Sequence, residues 1–174
     1  DMDGRKVVGA DATYDYALGK PLTSTDLNGN VIGYAYDPFG RTTSIKGPYE
    51  QTGSNHTLVF AYHPEAAVPY ATTQHLNLDA GGQVQAPIET VLFTDGLKRV
   101  VQTKKSIAEN GTARLAVSGR VLFDAYGRSV KQYYPVSEAL GQDGSFNPAF
   151  DSISPTQTEY DVLDRNLKTT LPDG

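Results

Sequence analysis

The chain has 174 residues, enough for a domain with its own core, and carries a formal charge of −5, without the basic footprint of general nucleic-acid binding. It contains no cysteine, so disulfide staples and thiolate chemistry are excluded. No apolar run approaches the roughly 18 residues that span a bilayer, and no charged-then-apolar leader is visible.

Tyrosine, glycine and threonine are abundant, whereas Leu, Ala, Glu and Lys do not dominate, which favours strands and turns over helices. From Lys6 to Ala17 the text alternates weakly, with Val8, Ala10, Ala12, Tyr14 and Tyr16 able to share a face. Lys20 to Thr25 leads into Asp26-Leu27-Asn28-Gly29-Asn30, where Asn28-Gly29 signals a hairpin. Val31 to Ile45 then reads as strand, turn and strand. Asp37 can accept from the turn's own N–H groups, Pro38 is pre-set near the required φ, and Gly40 can go to positive φ. Arg41 opens the return strand. Turns near residues 3, 18, 28 and 39 predict a meander of short antiparallel strands.

Residues 47–55 form a loop by composition. Thr57 to His63 is a strand broken at Pro64, and 64–69 holds one helical turn at most. Ala71 to Leu78 is a strand that Asp79-Ala80-Gly81-Gly82 turns back through Gln83 to Thr90. Ile88 to Phe93, Val100 to Ala108 and Thr112 to Val117 are strands, the last two joined at Asn110-Gly111. Arg120 to Phe123 and Ser129 to Tyr134 flank another turn. Residues 135–155 are the least regular stretch, with a helical turn at Ser137 to Leu140 stopped by Gly141. Glu159 to Leu171 is the last hairpin.

One phrase recurs, and an internal repeat dictates the fold more strongly than any single element. Tyr36-Asp37-Pro38-Phe39-Gly40-Arg41 and Phe123-Asp124-Ala125-Tyr126-Gly127-Arg128 are faithful copies. Tyr160-Asp161-Val162-Leu163-Asp164-Arg165 replaces the glycine with Asp164. Asp1 to Arg5 lacks the leading aromatic, Tyr14 to Lys20 is stretched by one residue, and Phe93 to Arg99 is a shifted copy with Gly96 moved forward. Joined to Asp26-Leu27-Asn28-Gly29-Asn30 and Tyr34-x-Tyr36-Asp37, this phrase resembles the YD-repeat of the Rhs family. That family includes the shell-forming B and C components of bacterial insecticidal toxin complexes, and the teneurins.

The resemblance implies an all-β fold of antiparallel hairpin repeats in a continuous sheet, a piece of a larger spiral shell. The whole chain, 1–174, reads as one such segment of a longer polypeptide, with less regular inserts at 47–88 and 135–158. It implies an architectural role, enclosing and delivering a C-terminal toxin, with no catalysis and no cofactor. Its partners would be the rest of the polypeptide or an adjacent shell component, and an enclosed cargo. Localisation would be extracellular or secreted. A second reading is an extracellular module that binds carbohydrate or protein through aromatic platforms among Tyr49, Tyr70, Tyr133 and Tyr134.

Candidate chemistry is weighed residue by residue. Asp37 with Arg41, Asp124 with Arg128, and Asp161 with Arg165 could be acid/base pairs, but repetition in every copy favours turn-capping. Gly29, Gly40 and Gly127 belong to the same turns. Asp26-x-Asn28-Gly29-Asn30 lacks the spacing and the bidentate Glu of a calcium loop. His56, His63 and His75 are not spaced for zinc. Between Lys98 and Lys131 lie eight basic and two acidic residues, and Lys98, Arg99, Lys104, Lys105, Arg114 and Arg120 form a candidate basic patch for an acidic partner, a glycan or a cargo. The bland reading is a solvated strand face with lysines guarding an edge.

Overall fold

The computed structural model describes residues 11–97, 99–149 and 153–173, so the Asp1–Arg5 copy, the turn near residue 3, and Lys98 lie outside the described residues. The regular structure among them is antiparallel β throughout, with no helix. Contacts group the described chain into two compact units, 11–61 with 73–88 and 62–72 with 89–173, where the sequence reads as one segment.

The first unit is a meander. Strands β1 (Asp11–Asp15), β2 (Lys20–Thr25), β3 (Val31–Tyr36) and β4 (Thr42–Lys46) each pair with the next. The pairing of β3 with β4 slips at Ala35/Tyr36, the bulge expected where a glycine turn closes a short hairpin. β5 (Leu58–His63) joins β4 through Ser44↔Val59 and Ile45↔Leu58. Loop 47–57 is tied by its polar side chains. The Gln51 amide donates to the carbonyls of Val31, Lys46 and Gly47 at 3.1, 3.0 and 2.9 Å. β6 (Tyr70–His75) and β5 each contribute residues to both units. The predicted return from Gln83 to Thr90 is instead a single bridge, Leu78↔Val84, before β7. Pro87 has no N–H to give to a ladder, which breaks the return before β7 begins.

The second unit holds two sheets. β7 (Ile88–Thr94), β8 (Val100–Glu109), β9 (Thr112–Ser118) and β12 (Val136–Ala139) are hydrogen-bonded in that order. β10 (Val121–Phe123), β11 (Ser129–Gln132), β13 (Thr156–Tyr160) and β14 (Asn166–Thr170) form a four-stranded sheet in that order. The helical turn read at Ser137 to Leu140 is therefore corrected to strand. Val136 and Glu138 lie opposite Val117 and Leu115, and this cross-strand pairing outweighs the local helix signal.

The core sits on one face of the first of these sheets. Val91, Phe93, Leu115 and Val117 are fully buried, or within 1% of it. Register places Val91, Lys104, Val117 and Val136 in one cross-strand row, with Phe93 beside Gln102. That is how a lysine and a glutamine come to be 0% exposed among apolar neighbours. Segment 142–147 covers them. Phe146 meets Phe93 edge-on at 5.7 Å, and Gly144 lies so close to Tyr70 that a Cβ would come within 2.6 Å of the phenol oxygen.

Gly40 has φ +74°, in the left-handed region. Gly40→Val should cost at least about 1–2 kcal/mol, read as a lowered thermal midpoint, from backbone strain, and a Cβ there would also touch the Leu18 and Lys20 side chains at 3.6 and 3.8 Å.

Candidate functional site

A clasp built on one aspartate closes the repeat turns. The N–H of Asp37 donates to the carbonyl of Arg41 at 2.9 Å, and the N–H of Gly40 donates back to the carbonyl of Asp37 at 2.9 Å. One carboxylate oxygen of Asp37 accepts from the N–H groups of Phe39 and Arg41, and the other from Arg41 Nε at 2.6 Å. The same pattern recurs at Asp124–Arg128 and Asp161–Arg165, and at Asp95–Arg99 the bonds made by the first, third and fifth residues repeat it. In the last of these Asp164 takes the glycine's place at φ +61°, which aspartate tolerates better than most residues.

Two turns the sequence reads differently adopt the same clasp. At Asp26 the side chain of Asn30 replaces the arginine, at 2.8 Å. At Asp79 the N–H groups of Gly81 and Gln83 fill one oxygen and the Gln85 amide reaches the other. Asp79-Ala80-Gly81-Gly82-Gln83 already has aspartate and glycine three apart, the signal by which it could have been recognised. The stretched copy at Asp15 keeps only part of the pattern, with Gly19 N–H donating to the Asp15 carbonyl at 2.8 Å.

These bonds favour ionised carboxylates. Asp26 is held below the ordinary carboxylate range chiefly by the Asn30 side chain, and Asp95 and Asp161 chiefly by the N–H groups of Arg99 and Arg165. At Asp37 and Asp124 burial pushes upward most strongly, yet the combined N–H and guanidinium donors of Arg41 and Arg128 outweigh it.

Within each unit, a cation of one clasp reaches the next copy. Lys20 Nζ lies 5.3 Å from the centre of the Tyr36 ring, and the Tyr36 hydroxyl donates to the carbonyl of Pro21 at 2.7 Å. Arg128 lies 5.2 Å from the centre of the Tyr160 ring and donates to the carbonyl of Asp161 at 2.8 Å, while the Tyr160 hydroxyl donates to the carbonyl of Ser129 at 3.1 Å. Arg99 stacks over Phe123 at 4.0 Å. These three cations thus sit over the leading aromatic of the following copy, and where that aromatic is tyrosine its hydroxyl returns to the residue after the cation, whereas Arg41 lies over Phe39 of its own hairpin at 5.3 Å.

The third feature is the strap at 142–147. Lys104 Nζ donates to Glu138 Oε1 and to the carbonyls of Gln142 and Ser145. The Gln102 amide pairs reciprocally with the backbone of Asn147 at 2.8 and 2.9 Å, and the Asn147 side chain donates to Glu138 at 2.6 Å. Arg120 lies over the Phe146 ring and donates to the carbonyl of Ala149 at 2.6 Å.

This geometry takes Lys104 out of the candidate basic patch. Lys104 is 0% exposed and neutralised by Glu138, because its row faces the strap rather than solvent. Arg99 pairs with Asp95, and Arg114 with Glu109 at 2.8 Å. Lys105 is exposed. Tyr49 is 94% exposed, but Tyr70 is packed between His63, stacked at 4.3 Å, and Phe93 at 5.2 Å. Among the described residues, no three His, Asp or Glu side chains gather as a metal site. A cleft of about 420 Å³ in the second unit is lined mainly by apolar residues, including Val68, Pro69, Val101, Leu122 and Phe146.

Residues 65–172 match a family described as a domain of unknown function, DUF6443. The chain belongs to the DUF6443 family. No curated protein matches it. Among solved structures, the crystal structure of TcdB2-TccC3 superposes with a TM-score of 0.74 at 20% identity, over 96% of this chain and 10% of that one. TcdB2-TccC3-TEV gives 0.74 at 15% identity, over 98% and 13%. The Photorhabdus luminescens Tc holotoxin pore gives 0.72 at 15%, over 95% and 12%. The DUF6443 chain thus spans roughly a tenth of the length of these proteins and shares their fold, an Rhs-like β architecture.

Two outcomes follow for this DUF6443 segment. Each clasp aspartate with a lowered folded pKa stabilises above the unfolded carboxylate value, near 4, and that contribution is lost as pH falls through the folded value. Urea midpoints should therefore hold from pH 7 to about 5 and drop below about 4. Separately, Lys104→Met leaves the Glu138 charge unpaired and should cost about 3–5 kcal/mol in urea unfolding, partly recovered by adding Glu138→Leu.

Proposed function

We propose that this segment is a stretch of wall in a large Rhs-type β shell that encloses a toxic C-terminal polypeptide and delivers it outside the producing cell. The observation that carries the reading is the clasp, repeated at Asp26, Asp37, Asp79, Asp95, Asp124 and Asp161. A hairpin alone buries too little apolar surface to stand, so a chain of identically closed hairpins is built for lateral continuation. The likeness of nearly the whole chain to about a tenth of TcdB2-TccC3 supports the same reading, a part of something far larger.

The role is containment rather than covalent chemistry. Each clasp carboxylate already accepts from two backbone N–H groups and from one side chain, which leaves it poorly placed to move a proton for a substrate. Rigidity comes instead from fixed turns and from aromatic rings held under cations.

The test is cryo-electron microscopy of the full-length polypeptide that contains this segment, with limited proteolysis of its C-terminal region. A hollow particle with residues 11–173 in its wall, and a C-terminal region cleaved only after the particle is opened, is the expected result. A solid particle, or a C-terminal region cleaved at once in the intact protein, would overturn the reading.

A further inference from the structure

We infer that the cleft of about 420 Å³ in the second unit is a binding site for a small amphipathic carboxylate, with the apolar body of the ligand inside and its anionic end on Arg120. The volume falls within the roughly 300–1,000 Å³ of small-molecule sites, which are mostly apolar with a few placed polar groups.

The cleft is lined from both sheets of the unit. β9 ends at Ser118, Gly119 turns the chain at φ +75°, and β10 begins at Val121. Val101 of β8 therefore lines the cleft from one sheet, and Val121 and Leu122 of β10 from the other. Val68 and Pro69 line it from a loop that is held in place, since the Thr94 N–H donates to the Pro69 carbonyl at 2.9 Å. Phe146 lines it from the strap, with the Phe93 ring edge-on at 5.7 Å. These walls are tied to the frame, so little ordering remains for a ligand to impose.

Two charged side chains line the cleft, and they are not equivalent. The Asp95 carboxylate accepts from the N–H groups of Leu97 and Arg99 on one oxygen and from the Arg99 guanidinium on the other. Its charge is already met within the clasp. Arg120 lies over the Phe146 ring at 5.3 Å and donates to the Ala149 carbonyl, a neutral acceptor, at 2.6 Å. Burial pushes its guanidinium below the ordinary value, countered in part by Tyr133. A carboxylate beside it would favour the charged form, and the planar fork of a guanidinium matches that group. A cationic ligand would be repelled, and a neutral one would gain from the apolar walls alone.

The test titrates 4-phenylbutyrate, 4-phenylbutanol and 4-phenylbutylamine into the 174-residue chain at pH 7, while the methyl resonances of Val101, Val121 and Leu122 are followed. Saturable shifts are expected, with the acid bound about tenfold more tightly than the alcohol, and the amine weakest. Arg120→Gln should erase the preference for the acid while the alcohol still binds, the sign that the cleft remains formed. Should that variant bind none of the three because the strap has loosened, their order in the unaltered protein decides. No saturable shift with the acid by about 10 mM would overturn the inference. So would equal affinity for acid and alcohol, the mark of an apolar groove without anion selectivity, or a preference for the acid that survives Arg120→Gln.

Discussion

The structure depends on a carboxylate that finishes a turn. A five-residue reversal leaves N–H groups pointing inward with no strand partner, and an unmet amide is costly wherever water is scarce. In each clasp the aspartate takes two of those amides on one oxygen and a side-chain donor on the other. The local chain is thereby closed before any neighbour arrives. Strand register follows, because the bulge beside each arginine-bearing clasp is set by the turn: Ala35/Tyr36, Phe93/Thr94, Leu122/Phe123 and Glu159/Tyr160 all slip at the same place.

Lateral cohesion is a separate matter and rests on arginine and lysine facing aromatic rings. The clasp fixes the guanidinium through Nε and leaves its other nitrogens and its flat face for the following hairpin, which a lysine could do only as a point charge. In the second unit a different device closes the core. Lys104 and Gln102 occupy positions whose parity faces inward, and the strap presents them with backbone carbonyls rather than side chains. A buried cation is tolerable there because Glu138, diagonal to it across β9, cancels its charge and Asn147 fills the second carboxylate oxygen.

Much of this was legible in the sequence where the determinant is local. Aspartate, glycine and arginine at fixed offsets specify the turns at Asp37, Asp124 and Asp161, and the hairpins around them fall within a residue or two of expectation. The shifted copy at Phe93 to Arg99 is regular once Asp95 is taken as its start, so the moved glycine was a distraction. What was not legible is long-range. Residues 135–155 look irregular because the strap is held by partners as many as 45 residues away, and no short window contains Gln102 with Asn147. Lys104 read as surface charge for the same reason. Its placement between Gln102 and Ser106 on one strand face, opposite Val91 and Val117, becomes visible only when the register is known.

The hydrogen bonds of the clasp use the side chains of its first and fifth residues and only the main-chain N–H of the third. The third side chain takes no hydrogen bond in them and stays exposed: Phe39, Leu97, Tyr126 and Leu163 stand 83%, 72%, 83% and 68% exposed, with the Phe39 and Tyr126 rings beside their clasp arginines at 5.3 and 5.0 Å. Sequence at each hairpin tip can therefore drift with little penalty to the frame beneath it. A row of such tips is a place where new surface properties can be written without rebuilding what supports them.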